Sequence, residues 1–195
     1  SERPPIQSGR SDRTSRRADH TFFGHGIVAH VAFADPVSSG LRALLHDTCL
    51  SQNRRVHNGG TYVNMDGPAF STRAESNVNR ALGFDVIGMT NLPEAKLARE
   101  AEMALATLAM ITDYDCWKTE EDPVTAQHII GHLQANAAAA REILAAVIPR
   151  LPETATWPEH TALDSALVTD RSLWPAETRE KLAAILERWE QAHAT

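Results

Sequence analysis

Two carboxylates, Asp113 and Asp115, end the apolar run of "AMITDYDCW", with Tyr114 between them. Alternate residues of an extended chain project to one side, so the two acids face the same way if the segment stays extended. Carboxylates that close do not both ionise easily, and one of them can remain a proton donor beside an ionised acceptor. A donor next to an acceptor suits the edge of an adenine ring, where N7 accepts and the N6 amino group donates. A plain polar turn closing a strand accounts for the same spacing.

Two further segments carry residues of this kind. "GPAFSTRAES" puts Phe70 and Ser71 just ahead of a helix start. A phenyl ring there can stack on a flat ligand, and free N–H groups of the first helical turn suit an anion or an acceptor. Hydrophobic packing of Phe70 and simple capping by Ser71 or Thr72 read the same residues without a ligand. "GMTN" places the hydroxyl of Thr90 among small residues between a strand and a helix, fit for phosphate or sugar, or for an ordinary loop. His128 and His132 stand four apart on a helix, the spacing of a metal pair. With no third ligand in a recognisable pattern, no metal is expected. His30 reads as structural, and His25, between two glycines, is freer to reach a site. There is no P-loop, no GxGxxG and no GxSxG elbow.

The elements that must hold these residues alternate. Strands are expected over 26–34, 59–65, 83–89 and 103–111, the last as an apolar run buried on both faces. Helices are expected over 38–52, 71–82, 93–101 and 124–148. Thr72 with Glu75 three residues on spells a capping box, and Pro93 suits a first turn. A final amphipathic helix, 175–194, aligns Leu182, Ile185, Leu186 and Trp189 as a stripe for core docking. Strand alternating with helix predicts an α/β fold with a mixed, largely parallel central sheet flanked by helices. In such sheets ligands bind beyond the carboxyl ends of the strands. All three candidate segments follow predicted strands. Residues 1–20, rich in proline and arginine, read as a flexible leader.

Bulk composition narrows the function classes. The chain has 195 residues, 43% of them hydrophobic and 23% charged, as expected of an ordinary globular domain. A formal net charge of −6 speaks against general nucleic-acid binding, which needs a basic face. No apolar run reaches the roughly 18 residues of a membrane span, and no signal-peptide pattern opens the chain. Two distant cysteines, Cys49 and Cys116, read as free thiols in a reducing compartment, so a cytoplasmic location is expected.

Taken in order, "TFFGHGIVAHVAFADP", "NGGTYVNMDGPAFSTRAES", "DVIGMTNLPEAKLAREAEM" and "AMITDYDCW" resemble the 5′-methylthioadenosine phosphorylase family, a branch of the trimeric purine nucleoside phosphorylases. The resemblance runs from about Asp12 to Leu151 and more weakly through "HTALDSALVTD". It implies phosphorolysis of 5′-methylthioadenosine, with inorganic phosphate as co-substrate, no other cofactor, and a homotrimer. It implies roles as well. Asp113 would meet N7 and N6 and give a proton to the departing base, and Asp115 would bind N6. Phe70 would pack on the base, Ser71 would touch its edge, and Ile87 would line the pocket. Met89 would sit under the ribose and Thr90 would bind phosphate. Ala126 and Ile129 would shape the methylthio pocket, and His25 would lie near a loop that reaches a neighbouring subunit. In related enzymes for 6-oxopurines an Asn takes the base-binding role, so "DYD" points to a 6-amino purine. Asn64 and Asp66 stand where relatives often carry Cys and Glu. The family's first segment, which holds most phosphate ligands, has no match here. Residues 21–195 are therefore expected to be the C-terminal portion of one such domain with its C-terminal helix: a phosphorylase of 5′-methylthioadenosine or of another purine nucleoside, or a purine-binding fragment that needs an N-terminal segment.

Overall fold

A computed structural model describes residues 20–118, 126–154 and 157–194, with 126–130 given by backbone alone. The fold is α/β, and the chain divides into two compact units. One comprises Ser39–Met89 and Thr107–Glu153; the other comprises residues 20–38, Thr90–Ala106 and 154–194.

The first unit holds α1 (Ser39–Ser51), β1 (Tyr62–Asn64), α2 (Arg73–Ala81), β2 (Val86–Gly88) and α4 (Ala126–Val147). The two strands pair in parallel, with Tyr62 opposite Val86, Val63 opposite Ile87 and Asn64 opposite Gly88. Asp85 secures the entry to this pair: its carboxylate accepts from the Thr61 N–H at 2.7 Å, while its own N–H donates to the Thr61 carbonyl at 3.0 Å. A Cβ at Gly88 would overlap the Tyr62 hydroxyl, so glycine there leaves room for that side chain. Helices α1 and α4 pack together, and Cys49 on one and Ile143 and Val147 on the other are buried. Gln52 donates to the Glu142 carbonyl at 3.1 Å, Arg54 pairs with the Glu142 carboxylate, and Arg150 donates to the Thr48 hydroxyl at 2.7 Å. Burial pushes the Cys49 thiol above its ordinary pKa.

The second unit holds α3 (Asn91–Glu100), α5 (Ala176–Lys181) and α6 (Ala183–Ala192), with short 3-10 turns at Pro158–Thr161 and Arg171–Leu173. Its core is Phe23, Ile27, Leu163, Ala166, Leu182 and Leu186, flanked by Ile185, Trp174 and Trp189. The expected apolar stripe of the last helix thus faces this core.

Three helices end with one geometry. In α1, α2 and α3 the residue just past the cap has a positive φ: Asn53 at 54°, Gly83 at 74° and Glu102 at 54°. The N–H of the following residue then returns to the third carbonyl from the helix end: Arg54 to Cys49, Phe84 to Asn79 and Met103 to Ala98. This satisfies carbonyls that the helix leaves open. Asn and Gly tolerate that backbone; Glu does so rarely. Glu102 is held there by its carboxylate, which accepts from the Leu163 N–H at 2.8 Å and from Arg188 at 2.7 Å. Arg188 also reaches Asp164, and these bonds, Glu102 first, hold its guanidinium well above the ordinary pKa.

Four expectations are corrected. Residues 26–34 form no strand of the parallel sheet. They make two isolated antiparallel bridges, Ile27 to Gly24 and Ala29 to Leu167, and the segment begins in a turn with Gly24, His25 and Gly26 all at positive φ. Residues 103–111 form no ladder either. Over 107–111 exposure alternates, with Thr107, Ala109 and Ile111 exposed and Leu108 and Met110 half-buried. The run is therefore covered on one face and not on both. The sheet of the described residues has two strands and not four. The last helix is two helices, broken at Leu182 where ψ rises to 5°. The predicted helix 124–148 begins, within the described residues, at Ala126. The leader expectation falls outside them, apart from His20.

Candidate active site

Because β1 and β2 run in parallel and in register, their carboxyl ends release two loops at one edge. The Met65 N–H continues the ladder to the Gly88 carbonyl at 2.9 Å. Met65 and Met89 therefore leave the sheet as neighbours. Gly67, at φ 62°, closes on Met89, and a Cβ there would meet the Met89 sulfur at 2.8 Å. This turn carries the chain to Phe70 and Ser71 at the start of α2. Ile87 lies within β2 opposite Val63 and is half-buried.

Helix α2 starts as its sequence predicts. Thr72 accepts from the Glu75 N–H at 3.2 Å, and the Glu75 carboxylate accepts from the Thr72 N–H at 2.8 Å. The bonds that this carboxylate accepts from the Thr72 N–H and hydroxyl hold it below its ordinary pKa. With the cap made by Thr72, the Ser71 hydroxyl takes no part in it and lies 3.9 Å from the Met65 sulfur. Phe70 is 85% exposed, an aromatic ring presented to solvent.

The carboxylate segment joins this edge. The Cys116 thiol donates to the Ser71 carbonyl at 3.5 Å, and Arg73 donates to the Cys116 carbonyl at 2.9 Å. Asp115 is half-buried and accepts from the Cys116 N–H at 2.8 Å. Asp113 is exposed and accepts from the Thr112 hydroxyl at 2.5 Å. Tyr114 and Trp117 meet edge to face, 5.8 Å between centroids. The Arg80 guanidinium lies 4.0 Å from the centre of the Trp117 ring. Phe70, Ser71, Met89, Asp113 and Asp115 thus stand on three segments of one unit, tied together by these contacts. An exposed aromatic ring and two carboxylates on linked segments supply what a flat polar heterocycle takes: a face to stack on and acids for its edge.

The remaining predicted residues are placed separately. Thr90, in the second unit, precedes α3 with an exposed hydroxyl that makes no capping bond. His25, also in the second unit, is exposed at φ 48°, and its carbonyl accepts from Thr178 at 2.8 Å. Ala126 and Ile129 belong to the first turn of α4, and their side chains lie outside the described residues. His132 is exposed, and among the described residues no group of His, Cys, Asp and Glu could hold a metal. Sequence reasoning missed Arg73, Arg80 and Cys116 as members of this cluster. The one signal available was the seven-residue interval of the two arginines, two helical turns, which sets both on one face of α2.

Comparison with known proteins agrees with the fold. A family model described as the phosphorylase superfamily matches residues 9–149. The S-methyl-5′-thioadenosine phosphorylase of Geobacter sulfurreducens is 48% identical over 175 residues, which cover 90% of this chain and 61% of that protein. Its counterpart in Thermosynechococcus vestitus is 50% identical over 182 residues, covering 91% and 63%. The crystal structure of a methylthioadenosine phosphorylase from an antarctic soil metagenomic library aligns with a TM-score of 0.82 at 41% identity, over 95% of this chain and 63% of that one. A double mutant of the adenosine/methylthioadenosine phosphorylase of Schistosoma mansoni, in complex with adenine, aligns at 0.65 and 25% identity, over 94% of this chain and 64% of that one. The chain therefore spans 61% to 63% of the length of the first three of these relatives. With the family model matching most of its residues, the chain belongs to the phosphorylase superfamily.

Proposed function

We propose that the protein cleaves 5′-methylthioadenosine by phosphorolysis, giving adenine and 5-methylthioribose 1-phosphate. The observation that carries this reading is the Cys116–Ser71 hydrogen bond. It ties the Asp113–Asp115 segment to the Phe70–Ser71 loop at the carboxyl edge of the parallel strands. Similarity to proteins named for this reaction, at 48% and 50% identity, supports it.

In this reading an oxygen of inorganic phosphate attacks C1′ of the ribose as the bond from C1′ to N9 breaks. The bonding pair leaves with adenine, and Asp113 supplies a proton at N7, so the base departs neutral. Asp115 accepts from the N6 amino group, which selects a 6-amino purine. Phe70 covers the base, Ser71 touches its edge and Ile87 lines the pocket. Met89 lies under the ribose. Thr90 holds phosphate near the cationic sugar, where positioning and opposite charge lower the barrier. Ala126 and Ile129 bound the methylthio group, and His25 approaches a neighbouring subunit. The same reading makes the working form a cytoplasmic homotrimer serving purine and methionine salvage. No helix among the described residues is long and apolar enough to cross a membrane.

A second reading is a purine-binding protein that does not cleave. The base-side residues Phe70, Ser71, Asp113 and Asp115 belong to one unit, whereas Thr90, the phosphate ligand that the resemblance transfers, belongs to the other. Incubation with 5′-methylthioadenosine, with and without phosphate, separates the two. Phosphate-dependent adenine release, by the chain alone or with the N-terminal segment of a relative, supports phosphorolysis. Adenine binding without release in either form supports the second reading, and release without phosphate indicates hydrolysis.

A further inference from the structure

Helix α2 does more than follow the Phe70–Ser71 loop. Both of its ends hold the segment that carries the carboxylates. At its first residue, Arg73 donates to the Cys116 carbonyl at 2.9 Å. In its last turn, the Arg80 guanidinium stacks on Trp117 at 4.0 Å. The two arginines are seven residues apart, so they share a face, and Ser76 between them is the buried residue of the helix.

Arg73 is the informative member of the pair. A cation in the first turn opposes the positive end of the helix dipole. Helix formation therefore does not call for Arg at this position, but the contact to Cys116 does. Arg80, in the last turn, matches the dipole and has a second task over the indole. Between these two anchors the Cys116 N–H donates to the Asp115 carboxylate, so a shift of the Cys116 backbone moves the acid with it. The thiol of the same residue reaches back to Ser71.

We propose that Arg73 and Arg80 are positioning residues, which set Asp113 and Asp115 against the Phe70–Ser71 loop and thereby determine the preference for a 6-amino purine. This rests on the functional reading above. Neither arginine touches the base. Their effect passes through the Cys116 carbonyl and the Trp117 ring to the carboxylates.

The test is calorimetric titration of the full chain with adenine and with hypoxanthine, for wild type, Arg73→Met, Arg80→Met and Arg73→Lys. Arg73→Met is expected to lower the ratio of adenine to hypoxanthine affinity by about tenfold, the loss that accompanies one charge-assisted hydrogen bond, and Arg80→Met, which loses a cation–π contact, by roughly two- to fivefold. Arg73→Lys, which still offers a donor to the Cys116 carbonyl, is expected to recover part of that ratio. Both side chains are exposed, so their truncation opens no cavity. If a Met variant nevertheless unfolds, Gln at the same position carries the same comparison. Variants that melt earlier but keep the wild-type ratio reduce the arginines to structural ties and overturn the proposal. A wild type with no preference for adenine overturns the functional reading instead, and the positioning role with it.

Discussion

The thiol of Cys116 donates to the carbonyl of Ser71 at 3.5 Å, across 45 positions of chain. One residue before Ser71 stands an exposed aromatic ring; one residue before Cys116 stands a half-buried carboxylate. The first loop offers the Phe70 ring and the second the two acids. They join beyond two parallel strands, and the reading of a purine site depends on that junction.

Asp113→Asn exchanges a carboxyl, which gives its one proton to N7 and accepts from N6 with its other oxygen, for an amide that brings two N–H donors and no proton to transfer. The substitution should weaken adenine binding and favour hypoxanthine. Loss of a hydrogen bond to a charged group is worth about 1.5–3 kcal/mol, so adenine affinity should fall roughly 10- to 100-fold. Isothermal titration with both bases checks this. An unchanged adenine affinity removes Asp113 from the role assigned to it.

Gly88→Ala would drive a methyl group into the phenol of Tyr62, whose hydroxyl occupies the space a Cβ would need. Such overpacking costs about 1–3 kcal/mol. Because the clash is with that one side chain, Tyr62→Ala should relieve most of it. A double-mutant cycle in urea should therefore show strong coupling between the two positions. Additive effects would mean that the strand pair yields in some other way.

Leu186 is fully buried in the core of the second unit. Leu186→Ala should destabilise that unit by about 2–5 kcal/mol. Thr72→Ala, by contrast, removes a helix cap in the first unit and should cost about 1 kcal/mol. Thermal or urea unfolding followed by circular dichroism ranks the two, and an order reversed from this one contradicts the assigned packing.

Glu190 pairs with Arg179 at 2.6 Å, and the hydrogen bond from that guanidinium holds its carboxyl below the ordinary pKa. A depressed carboxylate contributes stability that is present above its unfolded pKa and lost as pH falls through the folded value. Unfolding midpoints should accordingly decline on the acid side of the carboxylate range, and Glu190→Gln should flatten part of that decline. A decline identical in the variant would show that the pair contributes nothing.

Much of this fold is legible in the sequence, and the misses share a cause. Helix α2 is legible to its ends, since Thr72, Glu75 and Gly83 act within a few residues of their targets. The segments 26–34 and 103–111 have strand-like composition, but a strand is defined by a partner, which composition does not name. Glu102 adopts a backbone suited to glycine because Arg188, 86 residues away, holds its carboxylate. No local signal announces that. The break at Leu182 is equally silent, as leucine is a good helix former. In the candidate site, the residue types of Phe70, Ser71 and Asp113 draw attention on their own. Arg73 and Cys116 do not, because their part consists only of contacts between segments distant in sequence.

The measurement that bears most directly on the central claim is titration of the unmodified chain with adenine and hypoxanthine under identical conditions. A site of this kind binds one adenine per chain, about tenfold or more tightly than hypoxanthine. Equal affinity for the two bases, or binding of neither, would contradict it.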